Sequence, residues 1–215
     1  MAAKLIKRLK KKISKIRGKN ASYFIQENVI QGYGDLKAVL NPLPNVKPVV
    51  TKKVIAINEL AINDITIKKL KAKFGVPSYI LKNDFNIEKH KIYFFRDRVG
   101  YYKLLIQFHF INNQFFFAST RISVPKGISV ERKQQIVKQA LIKYTGVTER
   151  KQVKDLDIKL IDEHNSILFV FDYVSFYLNY LADNETKAAL YEEYCVATDE
   201  DKEIEESKIE IDKYI

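Results

Sequence analysis

The chain has 215 residues, enough to bury one large core or two small ones, and its 47% apolar content with 13 Phe and 13 Tyr excludes a disordered chain. Its seven glycines form neither G-x-G-x-x-G nor G-x-x-x-x-G-K before Ser or Thr, which excludes the common phosphate-cradling loops. The net charge of +11 is unevenly placed, with nine cations and no acid in residues 1–19 and eight acids against three lysines in residues 199–215.

The single cysteine, Cys195, has no second cysteine in the chain to pair with, which fits a reducing compartment. No apolar run of about 18 residues predicts a transmembrane helix. The basic start lacks the apolar stretch of a signal peptide, and Ala2 does not fit N-myristoylation. The expected location is the cytoplasm, with peripheral membrane attachment as an option. A mitochondrial-type targeting peptide is a further option, since the first acid is Glu27.

Residues 1–20 read as a basic amphipathic helical arm. Leu5, Ile6, Leu9, Ile13 and Ile16 fall within an arc of roughly 100° on a helical wheel. Lys4, Lys7, Arg8, Lys10, Lys11, Lys12, Lys15, Arg17 and Lys19 occupy the rest. The cations are the candidate contacts to an anionic surface. Leu5, Leu9, Ile13 and Ile16 are the candidate docking stripe. Charge alone would suit any polyanion, whereas a stripe also requires an apolar surface. That surface can be a bilayer, a protein partner or the protein's own domain.

Residues 21–57 hold Gly32, Gly34, Pro42, Pro44 and Pro48 and show no sustained period, so they read as an extended linker wrapping the domain. A short strand is expected at Val54–Ile57. The α+β domain is expected over residues 58–198. A helix near Thr66–Phe74 is capped by Thr66 or Asp64, presents Ile67, Leu70 and Phe74, and stops at Gly75 and Pro77. Strands follow at about 89–96, 101–111 and 114–123. The middle one alternates Tyr102, Leu104, Ile106, Phe108 and Phe110 against a face holding Lys103, Gln107 and His109, which predicts a half-buried strand in an antiparallel meander. Asn112-Asn113 supplies a two-residue turn.

The pattern then restarts. Ser129 caps a helix with Ile136, Val137, Ala140, Leu141 and Tyr144 on one face, and Gly146 ends it. Strands are expected near 156–162, 166–174 and 176–181, then a helix from Asp183 or Asn184 to about Cys195. The predicted fold is therefore α+β, with two units of a helix plus a three-stranded antiparallel meander over 66–122 and 129–181. Residues 199–215 form an acidic tail, which could fold back on the basic arm and compete with an anionic partner.

Ile65 to Tyr79 reads ITIKKLKAKFGVPSY and precedes an aromatic-rich meander. It resembles the opening of the α+β repeats of β-lactamase-inhibitor-protein and outer-membrane-assembly-lipoprotein type. The resemblance covers residues 66–122 and, less clearly, 129–181. It implies a binding platform without catalytic residues that uses an exposed sheet face. The chain lacks the signal peptide and lipidation cysteine of that family, which questions a periplasmic setting. The compact α+β fold of secretion chaperones is an alternative, also a binding fold.

Chemistry-bearing motifs are few. His90, His109 and His164 share no metal-ligand spacing, and H-E-x-x-H is absent. Asp155, Asp157, Asp162 and Glu163 cluster near strand ends, as Glu192 and Glu193 do on a helix, and such acids are usually solvated. Lys89, His90, Lys91, Tyr93, Arg96, Arg98, Tyr101, Tyr102 and Lys103 mix cations and rings, as single-stranded nucleic acid requires. The RNP1 pattern is absent, and alternation sends half of those rings to the core. The expectation is a non-enzymatic binding or accessory protein with no cofactor, no metal and no small-molecule substrate. Its partner is a protein or assembly first, and an anionic membrane or nucleic acid second. The alternatives are a nucleic-acid-associated structural protein, as in a ribonucleoprotein or viral particle, and an enzyme with an unrecognised site.

Overall fold

Helix boundaries in the computed structural model, which describes residues 21–82, 87, 89–146, 156–172 and 175–196, follow local capping chemistry. A helical segment over residues 21–26 (α1) is followed by α2 (Tyr33–Leu40), α3 (Ile67–Phe74), α4 (Val130–Thr145) and α5 (Glu185–Tyr194). The side chains of Thr66, Ser129 and Asn184 accept hydrogen bonds from the backbone N–H groups of Lys69, Arg132 and Lys187, satisfying donors that the first helical turn leaves unpaired. Gly146 ends α4 at φ +70°, a left-handed conformation that favours glycine. α2 falls inside the segment expected to be extended. Its Leu36, Val39 and Leu40 are buried at helical spacing, and that burial outweighs the flanking Gly and Pro residues.

The strands are β1 (Val49–Val50), β2 (Ala56–Ile57), β3 (Leu60–Ala61), β4 (Tyr79–Lys82), β5 (His90–Val99), β6 (Tyr102–Ile111), β7 (Gln114–Ser123), β8 (Lys159–Ile161), β9 (Ile167–Asp172) and β10 (Phe176–Leu181). Eight of them form one mixed sheet in the order β1-β8-β9-β10-β7-β6-β5-β4. This overturns the expectation of two units of a helix plus a three-stranded meander, although the class remains α+β. β10 pairs antiparallel with β7 over six residues, from Phe176↔Ile122 to Leu181↔Phe117, which fuses the two strand runs through what would otherwise be exposed edges. β4 lengthens one run and β1 adds a parallel edge to the other, Val49 opposite Leu160.

Helices cover both faces. On one, α3 and α4 pack Leu70, Val137 and Leu141 against Phe95, Phe108 and Val170. On the other, Phe24 of α1 packs with Ile92, Phe94 and Leu105, and Leu36 of α2 and Leu190 of α5 pack with Phe117 and Phe169. Residues 105–110 of β6 are consequently buried without interruption. The strand expected to be half-buried from alternation is buried on both faces over 105–110, where Gln107 and His109 point into an interior, while Lys103 at its start stays exposed. β7 carries one residue more than β6 at the His109/Phe110 step, which turns both Phe116 and Phe117 toward α2 and α5. The turn at Asn112-Asn113 has φ of 51° and 65°, as expected for Asn in a tight hairpin.

The chain passes from one face to the other around the β1 edge. Beyond β1, Thr51 donates from its hydroxyl to the Tyr144 carbonyl, and the Tyr144 hydroxyl donates to the Ala56 carbonyl. Asp162, 3% exposed, accepts from the N–H groups of Ile55, His164 and Ser166 at 2.8–2.9 Å. Its carboxylate thus joins this segment to the β8–β9 turn, which explains one of the acids singled out above.

Candidate functional site

The thirteen residues of the predicted arm, nine cations and four of its aliphatic side chains, lie outside the described residues. Its root does not. Phe24 is 2% exposed, stacks on Tyr79 at 4.8 Å with rings nearly parallel, and touches Phe94 at 4.9 Å. The Arg96 guanidinium lies 4.8 Å from the Tyr23 ring centre and 4.9 Å from that of Phe24. Arg121 pairs with Glu27 and donates to the Tyr23 hydroxyl at 3.2 Å. Gln107, wholly buried in β6, donates to the Glu27 carbonyl and accepts from the Val29 N–H. Four side chains from β5, β6 and β7 therefore fix residues 23–29 to the sheet. No local sequence signal exposes this: Gln107, on the more polar face of β6, reads as outward-facing until a second layer covers it.

The cation and aromatic mixture on β5 and β6 is divided by the fold. His90 and Tyr93 are buried, Arg96 is committed to α1, and Lys91 donates to Asn113. Arg98, Tyr101 and Lys103 remain exposed at the β5–β6 tip. They do not form the continuous stacking platform that single-stranded nucleic acid requires.

The three histidines also separate. His164 sits in the β8–β9 turn. His90 and His109 meet in the interior, with Nε2 of His90 3.1 Å from Nδ1 of His109, among Phe116 and Phe117. Burial lowers the His90 pKa to about 4 and holds His109 well below the usual imidazole value. Both rings are therefore neutral at pH 7. Among the described residues, no three His, Cys, Asp or Glu side chains gather to hold a metal ion. Glu192 and Glu193 are exposed on α5, while Asp155 lies outside the described residues.

A cleft of about 670 Å³ opens between α2, the turn after it, and the sheet. Phe117, Phe169 and Asn179 form its floor, with Val39 and Leu43 among its walls. Its lining contains one carboxylate, Asp35, and no His, Cys, Lys or Arg among the described residues. Asp35 accepts from the Gln31 N–H at 2.8 Å. Ser175 and Tyr177 supply its hydroxyl groups, and the buried histidine pair lies outside it. No family model, curated protein or solved structure matches the chain. Among the described residues, no helix is long and apolar enough to cross a membrane.

Proposed function

We propose that this is a non-enzymatic binding or accessory protein that attaches through its basic N-terminal arm, residues 1–20, to an anionic surface or a larger assembly. The anchored root of the arm carries this reading. Rings of β4 and β5, the Arg96 guanidinium and the Arg121–Glu27 ion pair hold residues 23–27, so force on the arm is transmitted to the sheet. Side chains from residue 24 onward already furnish apolar cover for both sheet faces. On this reading the stripe of Leu5, Leu9, Ile13 and Ile16 is the surface that meets the partner.

The test compares the full chain with one lacking residues 1–20, on heparin and on anionic vesicles. Loss of residues 1–20 should weaken retention on at least one of them by roughly tenfold or more, because it removes the nine cations counted above. Equal retention of the two chains on both supports would overturn the reading. Steep salt dependence with RNA and no preference for lipid would move the assignment to a nucleic-acid-associated protein.

A further inference from the structure

We propose that the β5–β6 hairpin tip is a second contact with an anionic lipid bilayer, set beside the one made by the basic arm. This deepens the attachment reading above, on which it rests, by naming lipid as the surface.

The tip is a two-residue turn in which Gly100, at φ +56°, follows Val99 and precedes Tyr101. Val99 pairs with Tyr102 across it, so the apex is held by the sheet ladder and needs little ordering on contact. Val99 is 59% exposed and Tyr101 51%. Arg132, in the first turn of α4, lies 5.8 Å from the Tyr101 ring, so that turn borders the apex. It carries Val130, 55% exposed. Three large apolar side chains therefore project at one end of the molecule.

The charges around them are mostly positive. Arg98 and Lys103 face each other across the hairpin one step behind the apex. Arg132 stands on the α4 side, with Lys126 in the loop between β7 and α4. Among the described residues the acids at this end are Asp97, Glu131 and Asp172, the last level with Asp97 across the sheet and paired with Lys133 of α4 at 2.7 Å. Asp97 is turned to its own backbone, accepting from the Arg98 N–H at 2.7 Å. Aliphatic and tyrosine side chains ringed by cations match a bilayer, where Tyr sits at the headgroup level and Lys and Arg meet anionic lipid. Nucleic acid is a poorer fit, because Val99 and Val130 offer it neither charge nor a stacking face.

The arm issues from this same end. Tyr23 lies at the level of Arg96 and Arg121, one side-chain step from the Arg98–Lys103 pair along β5. As the chain proceeds to Glu27 and Val29 it moves away, toward Gln107. Residue 21 therefore enters beside the tip, and one membrane plane can receive both.

The sequence contains no tryptophan, so Tyr101→Trp places a single reporter at the apex. Vesicles of equimolar phosphatidylcholine and phosphatidylserine should shift its emission to the blue, whereas phosphatidylcholine alone should not. In cosedimentation, V99D/Y101D in the full chain should weaken binding to the anionic vesicles by roughly tenfold, with an unchanged urea midpoint showing that the fold is intact. An unshifted Trp signal, or wild-type binding by V99D/Y101D, overturns the tip contact. If V99D/Y101D binds normally while removal of residues 1–20 abolishes binding, the arm reading survives without the tip. If the chain lacking residues 1–20 binds like the full chain on both supports and only V99D/Y101D fails, the arm reading falls and the tip stands. Binding of RNA with no vesicle binding overturns the lipid assignment.

Discussion

His90 and His109 are diagonal neighbours on β5 and β6 that share one hydrogen bond, Nε2 of His90 to Nδ1 of His109 at 3.1 Å. One ring donates and the other accepts, so the contact exists only while at least one is neutral. Each folded-state pKa lies below the ordinary 6.5 because burial penalises the charged ring. The unfolded chain therefore binds protons first as pH falls. The stability that neutral His90 confers is complete above about pH 6.5 and is lost as pH falls toward about 4, and His109, also lowered by burial, changes with the same sign. For His90 alone the full loss is on the order of 3 kcal/mol. Urea midpoints from about pH 7 to about pH 5 should fall in the wild type and change much less in a His90→Leu/His109→Leu double variant. A parallel decline in both would remove the pair as the cause.

Phe24 fastens the root of the arm. Its ring contacts Tyr79, Phe94 and the Arg96 guanidinium, so Phe24→Ala removes a buried ring and leaves its partners facing a void. The expected cost is about 3 kcal/mol in chemical denaturation. Phe24→Leu should recover part of it. Hydrogen exchange at Phe94 and Leu105 should accelerate in the alanine variant, since these residues share the cluster with Phe24.

Gln107 is wholly buried in a layer that also holds His90, His109, Ser119 and Asn179. Gln107→Leu is close in size but strands the Glu27 carbonyl and the Val29 N–H, both of which its carboxamide satisfies. Leaving buried groups unpaired costs about 1–3 kcal/mol each, so a net loss of about 2 kcal/mol or more is expected despite the more apolar side chain. A more stable Gln107→Leu variant would show that residues 27–29 do not depend on this clamp.

Local chemistry made part of this fold legible. Thr66 and Gly75 bound α3, Ser129 and Gly146 bound α4, and Asn112-Asn113 turns β6 into β7, because each signal acts within a few residues. α2 escaped, since Leu36, Val39 and Leu40 cover barely two helical turns beside a proline-rich stretch. The union of β7 with β10 escaped for another reason. It joins Phe117 to Leu181 across 64 positions, and alternation along a strand does not name the neighbour. The same non-locality concealed the site. Gln107 and His109 read as the polar face of a half-buried strand until α1, α2 and α5 close over that face.

Asp162 shows how an acid that resembles a catalytic candidate serves structure. Its Oδ2 accepts from the Ile55 N–H and its Oδ1 from those of His164 and Ser166. Asp162→Ala releases all three donors in the interior and should destabilise the protein by about 3 kcal/mol or more. Asp162→Asn retains one carbonyl oxygen and should cost less. Equal losses in the two variants would indicate that charge, rather than the number of accepted bonds, sets the contribution.

Ser119 offers the opposite case. It is fully buried between Gln107 on β6 and Asn179 on β10, and its hydroxyl has no hydrogen-bond partner among the described residues. A buried hydroxyl without a partner retains the cost of leaving water and gains nothing for it. Ser119→Ala removes that oxygen and keeps Cβ, so the backbone ladder to Gln107 and Asn179 is untouched. The expected outcome is a gain of about 1 kcal/mol in the urea unfolding free energy. A loss of similar size would mean that the hydroxyl is bonded in solution, and Ser119→Cys, which restores only a poor donor, would then fail to recover it.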